Sequence, residues 1–128
     1  MSAFSDYLET ALINATLRNS AYSSPATVYL ALFTADPVDV GAAGEVSGGS
    51  YARQSIAFSA PSGGATANSG VVTFPVATTS WGTITHWGIF DAVSAGNLLY
   101  GGAWSASYVI NTNDHFEVAA GNLTVTLQ

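Results

Sequence analysis

From Pro25 onward the sequence is a succession of short apolar runs separated by Gly, Asn, Asp, Ser and Pro, with no sustained spacing of apolar residues at three and four. That punctuation confines most of the chain to a β architecture. Candidate strands cover 27–34, 52–59, 71–74, 83–90, 98–103, 107–110, 115–118 and 123–127, and turn signals stand at 61–64, 68–70, 95–97, 111–114 and 121–122. Seven or eight short strands at this spacing predict an antiparallel β-sandwich or barrel rather than a parallel sheet. No internal repeat is present, and the Ser/Gly runs at 47–50 and 62–64 are short enough to be loop tips.

Two of the strands carry a clear facial pattern. In 27–34, Val28, Leu30 and Leu32 share one face and Tyr29, Ala31 and Phe33 the other, so both faces need cover. In 123–127, Leu123, Val125 and Leu127 alternate with Thr124 and Thr126, giving one buried and one wet face. Before Pro25, the residues Phe4, Leu8, Ala11, Leu12 and Ala15 fall on one stripe of a helix over 2–19. Asp6 and Glu9 lie near its start and Arg18 near its end, matching the helix dipole. This helix is the expected cover for one face of strand 27–34. The whole chain, 1–128, then forms a single domain, with helix 2–19 and a β-rich body over 26–128.

Composition narrows the function. Only two arginines and eight carboxylates are charged, lysine is absent, and 48% of the residues are apolar. An ordinary soluble domain carries roughly a quarter charged residues. A surface so poor in ions suits a protein packed against copies of itself or a larger assembly. The net charge of −6 and the isolation of Arg18 and Arg53 exclude phosphate-neutralising contact with nucleic acid, and they disfavour an anionic membrane surface. No apolar run approaches the roughly 20 residues of a membrane span. The first residues also lack a signal peptide's basic and apolar regions, so an unprocessed, cytoplasmically made chain is expected. Without cysteine, neither a disulfide nor a thiolate metal site is available.

The residues able to carry chemistry do not form a recognisable catalytic pattern. His86 and His115, with Asp91 or Asp114, are ordinary zinc-ligand types but show no ligand spacing, and a structural histidine is expected at each. Asp36, Asp39 and Glu45 lie among Gly41 and Gly44 in an acidic loop, whose spacing departs from that of an EF-hand calcium loop. There is no Gly-x-Ser-x-Gly elbow and no recognisable carboxylate pair, so no enzymatic activity and no cofactor are expected. The densest grouping is Trp81 to Asp91, where plain alternation puts Ile84, His86, Gly88 and Phe90 on one face and Thr85, Trp87 and Ile89 on the other. Its aromatics read as core or subunit-interface packing, with a carbohydrate-stacking or peptide-binding platform as the alternative. Arg53 is suited either to pairing a carboxylate, tying the acidic loop to the sheet, or to anchoring an interface.

Four runs, Val28 to Pro37, Glu45 to Gln54, Trp81 to Ala92 and Gly96 to Tyr100, resemble the signature of small tailed-phage virion structural proteins, a family commonly labelled phage tail fibre proteins. The likeness covers nearly the whole chain in order. It implies a virion component assembled in the host cytoplasm, with no catalytic residues to transfer. Because the chain has no heptads and no fibrous repeat, it resembles capsid cement or decoration proteins more than a complete fibre. The expected role is that of a homo-oligomeric cement, a dimer or trimer bridging major capsid protein subunits so that internal DNA pressure must break its contacts too. A tail-fibre or baseplate module contacting the host receptor is the alternative, and a calcium-dependent lectin-like domain a third. Aromatics and arginine dominate interface energetics, which nominates Tyr22, Tyr51, Arg53, Trp81, Trp104 and Tyr108 as contact residues.

Overall fold

The structure is a computed structural model, and it describes residues 2–37 and 44–127. The chain begins with strand β1 (Ser2–Phe4) and only then enters helix α1 (Asp6–Leu17). The expected helix therefore starts four residues late. Ser5 is the reason: its backbone is extended (φ −78°, ψ 159°) and its hydroxyl accepts the Leu8 N–H at 3.1 Å, the geometry of an N-cap. Phe4, which shares the helical stripe in the sequence, instead sets its ring edge-on against Tyr100 at 5.4 Å. At the other end Arg18 caps the helix, and Asn19 in the left-handed region (φ 53°) turns the chain so that the Ser20 N–H reaches Asn14 O.

Seven strands complete the body after β2 (Val28–Phe33): β3 (Gln54–Ile56), β4 (Ala65–Ala67), β5 (Val72–Thr73), β6 (Gly82–Phe90), β7 (Leu98–Ile110), β8 (Glu117–Val118) and β9 (Thr124–Thr126). Five form an antiparallel sheet in the order β1-β7-β6-β2-β3, while β4 pairs β9 and β5 pairs β8 as two ribbons. Leu30, Leu32, Ile84, Trp87 and Ile89 of the sheet share one core cluster with Val72, Phe74, Phe116, Val118, Leu123 and Val125 of the ribbon segments. The architecture is mainly β and sandwich-like, as expected. Asn68 ties the ribbon layer together, accepting the Leu123 N–H at 2.9 Å and donating to Gly70 O and Ala119 O.

Three expectations about the elements change. First, α1 lies against β1 and β7, not over β2, because Ser5 alone separates the helix from β1, a strand three places away from β2 in the sheet. The second face of β2 is covered by other means: Ala31 and Phe33 cluster with Phe90 and Leu98. Second, 98–103 and 107–110 are one strand of 13 residues, β7. Third, the register between β6 and β7 slips between Ile84 and His86, so four β7 residues stand opposite the single residue Thr85. The slip breaks the plain alternation of β6. Ile84 consequently faces the same core as Trp87 and Ile89, while Gly88 and Phe90 face the second cluster.

Candidate functional site

Of the six residues nominated for contact, three turn inward. The Arg53 side chain is only 7% exposed and grips Glu45 through both guanidinium edges, Nε to Oε2 and Nη2 to Oε1, each at 2.8 Å. Its Nη1 donates to Ala92 O and Ala95 O in the β6–β7 loop, and its plane lies 3.7 Å over the Phe90 ring. One arginine thus joins the turn before β3, the β6–β7 loop and the second apolar cluster. Tyr51 completes the node by donating its hydroxyl to Glu45 Oε2 at 2.8 Å and accepting the Leu32 N–H at 3.0 Å. Burial, reinforced by the Glu45 charge, pushes the Tyr51 phenol well above its ordinary ionisation range, against the lowering pull of the Leu32 N–H and Arg53. Trp81 is a core residue whose indole donates to Gly49 O at 2.9 Å and meets Tyr51 edge-on at 5.5 Å.

The sequence offers a signal for this node. Gly48 (φ 76°) and Gly49 (φ 59°) both adopt the left-handed region, forming a tight turn that brings Glu45, Tyr51 and Arg53 together. A carboxylate and an arginine flanking a Gly-Gly pair are placed to meet.

The other three nominees keep surface. Tyr22 is half-buried, and its phenol is raised by that burial and by Tyr7, Asp91 and Tyr100 nearby. Trp104 is half-buried and Tyr108 is 40% exposed, and both rings pack on Phe116, at 5.3 and 5.5 Å between centroids. Trp104 also lies 6.5 Å from Trp87 and donates its indole N–H to His86 O. These aromatics floor an open groove of about 980 Å³ between the second half of β7 and the segment leading into β8, with Asn113, Asp114 and His115 on its rim. An apolar cleft of about 300 Å³ opens elsewhere, between the sheet and the β4–β9 ribbon, lined by Val28, Phe58, Ile89, Leu99 and Val125.

The candidate metal ligands stay apart. His86 Nδ1 bonds the Thr85 hydroxyl, Asp91 holds Asn97 through both oxygens, and Asp114 accepts the Asn111 N–H. Among the described residues no three His, Asp or Glu side chains are placed to share an ion. Of the acidic loop, Asp39 and Gly41 lie outside the described residues, and Glu45 is committed to Arg53 and Tyr51.

The molecule therefore presents a tightly partnered interior and an aromatic, uncharged end of a long strand. The family model of the Podophage GP4 fiber I protein gp80 matches residues 3–126, from β1 through β9. The chain belongs to this family. No curated protein matches it. The fiber I match takes in α1, the five-stranded sheet and both ribbons, and it makes the chain a tail-fibre-like structural component of a bacteriophage virion.

Proposed function

We propose that the chain is a non-enzymatic module of the phage fibre apparatus, docked on other virion proteins and on copies of itself and assembled onto the particle in the host cytoplasm. The observation that carries this reading is the fiber I family match over 3–126, which includes every described element of the fold. The sparse charge supports docking on protein: with Arg53 enclosed by Glu45 and two carbonyls, Arg18 is the one arginine left on the surface. Capsid cement, the role expected from chain length and the absence of a fibrous repeat, is the competing outcome. Immunogold labelling of intact particles with an antibody to this chain separates the two. Label confined to the tail and its appendages is expected, whereas label distributed over the head faces overturns the fibre assignment in favour of cement.

A further inference from the structure

Strands β6 and β7 shift register twice, and the larger shift lies beside the aromatic groove: residues 104–107 of β7 stand across from the single residue Thr85. Bulges re-aim side chains and gather beside binding sites. Here the residues around the slip form a platform, with the Trp104 and Tyr108 ring centroids 5.3 and 5.5 Å from that of the buried Phe116. The indole of Trp104 is also fixed by its hydrogen bond to His86 O and by contact with the Trp87 ring. The floor of the groove is therefore ordered before anything lands on it, which lowers the cost of binding.

The rim is equally fixed. The Ala77 N–H donates to Asp114 O at 2.8 Å, Ala77 O accepts the Asn113 N–H at 2.7 Å, and Asp114 Oδ2 accepts the Asn111 N–H. Asn113 holds the left-handed conformation (φ 73°), which asparagine tolerates better than most residues. The turn over 111–114 is thus pinned to a neighbouring segment through its backbone, and its side chains are left over. Ser105, Ser107, Asn113, His115 and Asn122 all line the groove, all are exposed, and none of their side chains hydrogen-bonds another described residue. A rigid aromatic floor therefore lies among hydroxyl, amide and imidazole groups that no protein atom uses.

We propose that this groove binds a short, neutral oligosaccharide, whose C–H face rests on the Trp104 and Tyr108 rings and whose hydroxyls bond the side chains of the rim. Ligand sites combine aromatic lining with a few convergent polar groups, and a sugar ring presents a surface for each. Charge sets the class of sugar. No arginine lines the groove, lysine is absent from the chain, and the carboxylates Asp114 and Glu117 both lie along it. A phosphorylated, sulfated or uronic-acid sugar meets like charge there with no cation to offset it. Size sets its length: about 980 Å³ stands at the upper end of the roughly 300–1,000 Å³ of small-ligand sites, room for a chain of sugars and not for one ring alone. This binding role goes beyond docking on virion proteins and does not depend on it.

The test is a titration of the purified full chain with maltotriose, cellotriose, mannotriose and chitotriose, followed by tryptophan fluorescence. Of the three tryptophans, Trp81 and Trp87 are 5% and 3% exposed and only Trp104 is half-buried, so a sugar in the groove is read through Trp104. At least one of these sugars is expected to give a saturable blue shift, and sialyllactose, which carries a carboxylate, is expected to give none. Combining His115→Ala with Asn113→Gly removes two rim groups without touching the floor, and glycine suits the backbone at 113. That variant is expected to bind the same sugar about tenfold more weakly while keeping a urea midpoint close to that of the wild type. Three results overturn the proposal: no saturable response to any of the neutral sugars up to about 10 mM, tighter binding of sialyllactose, or a rim variant that binds as the wild type does. Each of them leaves the fibre assignment standing, because immunogold labelling reads that assignment independently of any sugar.

Discussion

The node around Arg53 and the far half of β7 are built from similar residue types and end in opposite states. At the node an arginine, a tyrosine and a tryptophan are enclosed, with every polar atom of the Arg53 side chain bonded and Trp81 only 5% exposed. Along 103–109 a tryptophan and a tyrosine sit on an uncharged strand whose outer edge has no described neighbour. Residue type alone does not separate an enclosed aromatic or arginine from one that keeps surface. The nearby backbone does: the left-handed Gly48–Gly49 turn folds Glu45 onto Arg53, whereas β7 runs past the end of β1 and, among the described residues, has no strand paired to its outer side there.

The contrast predicts its largest effect at the node. Glu45→Ala leaves the enclosed Arg53 guanidinium without its carboxylate and removes the acceptor of the Tyr51 hydroxyl, and removing one partner of a buried ion pair costs about 3–5 kcal/mol. The urea midpoint of the monomer is expected to fall accordingly with an unchanged slope. An effect below about 1 kcal/mol breaks the comparison, since the node is then no firmer than a surface pair. Next is Gly88→Val. A side chain there points at Leu98 and Phe33, with even the first carbon only 2.9 Å from each and 3.2 Å from Phe90. Overpacking of this kind costs about 3 kcal/mol, read as a lower melting temperature. It sharpens the comparison by locating the firm region in the second apolar cluster as well as in the ion pair.

How far this division was legible in the sequence depends on whether local pattern or long-range pairing decides a residue's place. The two faces of β2 follow from alternation alone, since its neighbours β3 and β6 pair with it in unbroken register. The mainly β, sandwich-like body follows in the same way from the turn residues. Position 84 does not, because the register slip beside Thr85 returns Ile84 to the core shared by Trp87, and a slip depends on the facing strand. Nor does the start of α1: Phe4 fits the helical stripe, and only the pairing of β1 with Tyr100 withdraws it into a strand. Trp104 and Tyr108 keep surface as their nomination required, whereas Tyr51, Arg53 and Trp81 do not, and the continuity of β7 through 104–107 was not readable from the turn residues.

A smaller effect belongs to Tyr51, which links the node to the main sheet. Tyr51→Phe leaves the Leu32 N–H without its acceptor and takes one of two donors from Glu45 Oε2, which keeps the Arg53 Nε–H, at a cost of about 2 kcal/mol near neutral pH. The same substitution changes the alkaline limb of stability. In the unfolded chain this phenol ionises near pH 10, and in the fold burial keeps it protonated far above that. The unfolded state loses its proton first. Stability is therefore complete below pH 10 and falls as pH rises past it, by about 1.4 kcal/mol per pH unit for one such group. Denaturation midpoints followed from pH 9 to 11 are expected to fall less steeply in the phenylalanine variant than in the wild type, and equal slopes contradict the enclosure of Tyr51.

The smallest expected effect lies at the other end of the comparison. Ser107 is exposed, and no hydrogen bond ties its side chain to the described residues in the way Glu45 is tied to Arg53. Ser107→Lys is expected to move the unfolding free energy by no more than about 0.5 kcal/mol. The comparison requires this near-silence, because it treats 104–107 as backbone that the protomer's own stability does not depend on. A loss of about 2 kcal/mol or more, measured by urea denaturation, means that this half of β7 is held as firmly as an enclosed segment. Near-silence there beside a loss of about 3–5 kcal/mol in Glu45→Ala places the protomer's stability in the enclosed ion pair and not in the exposed half of β7.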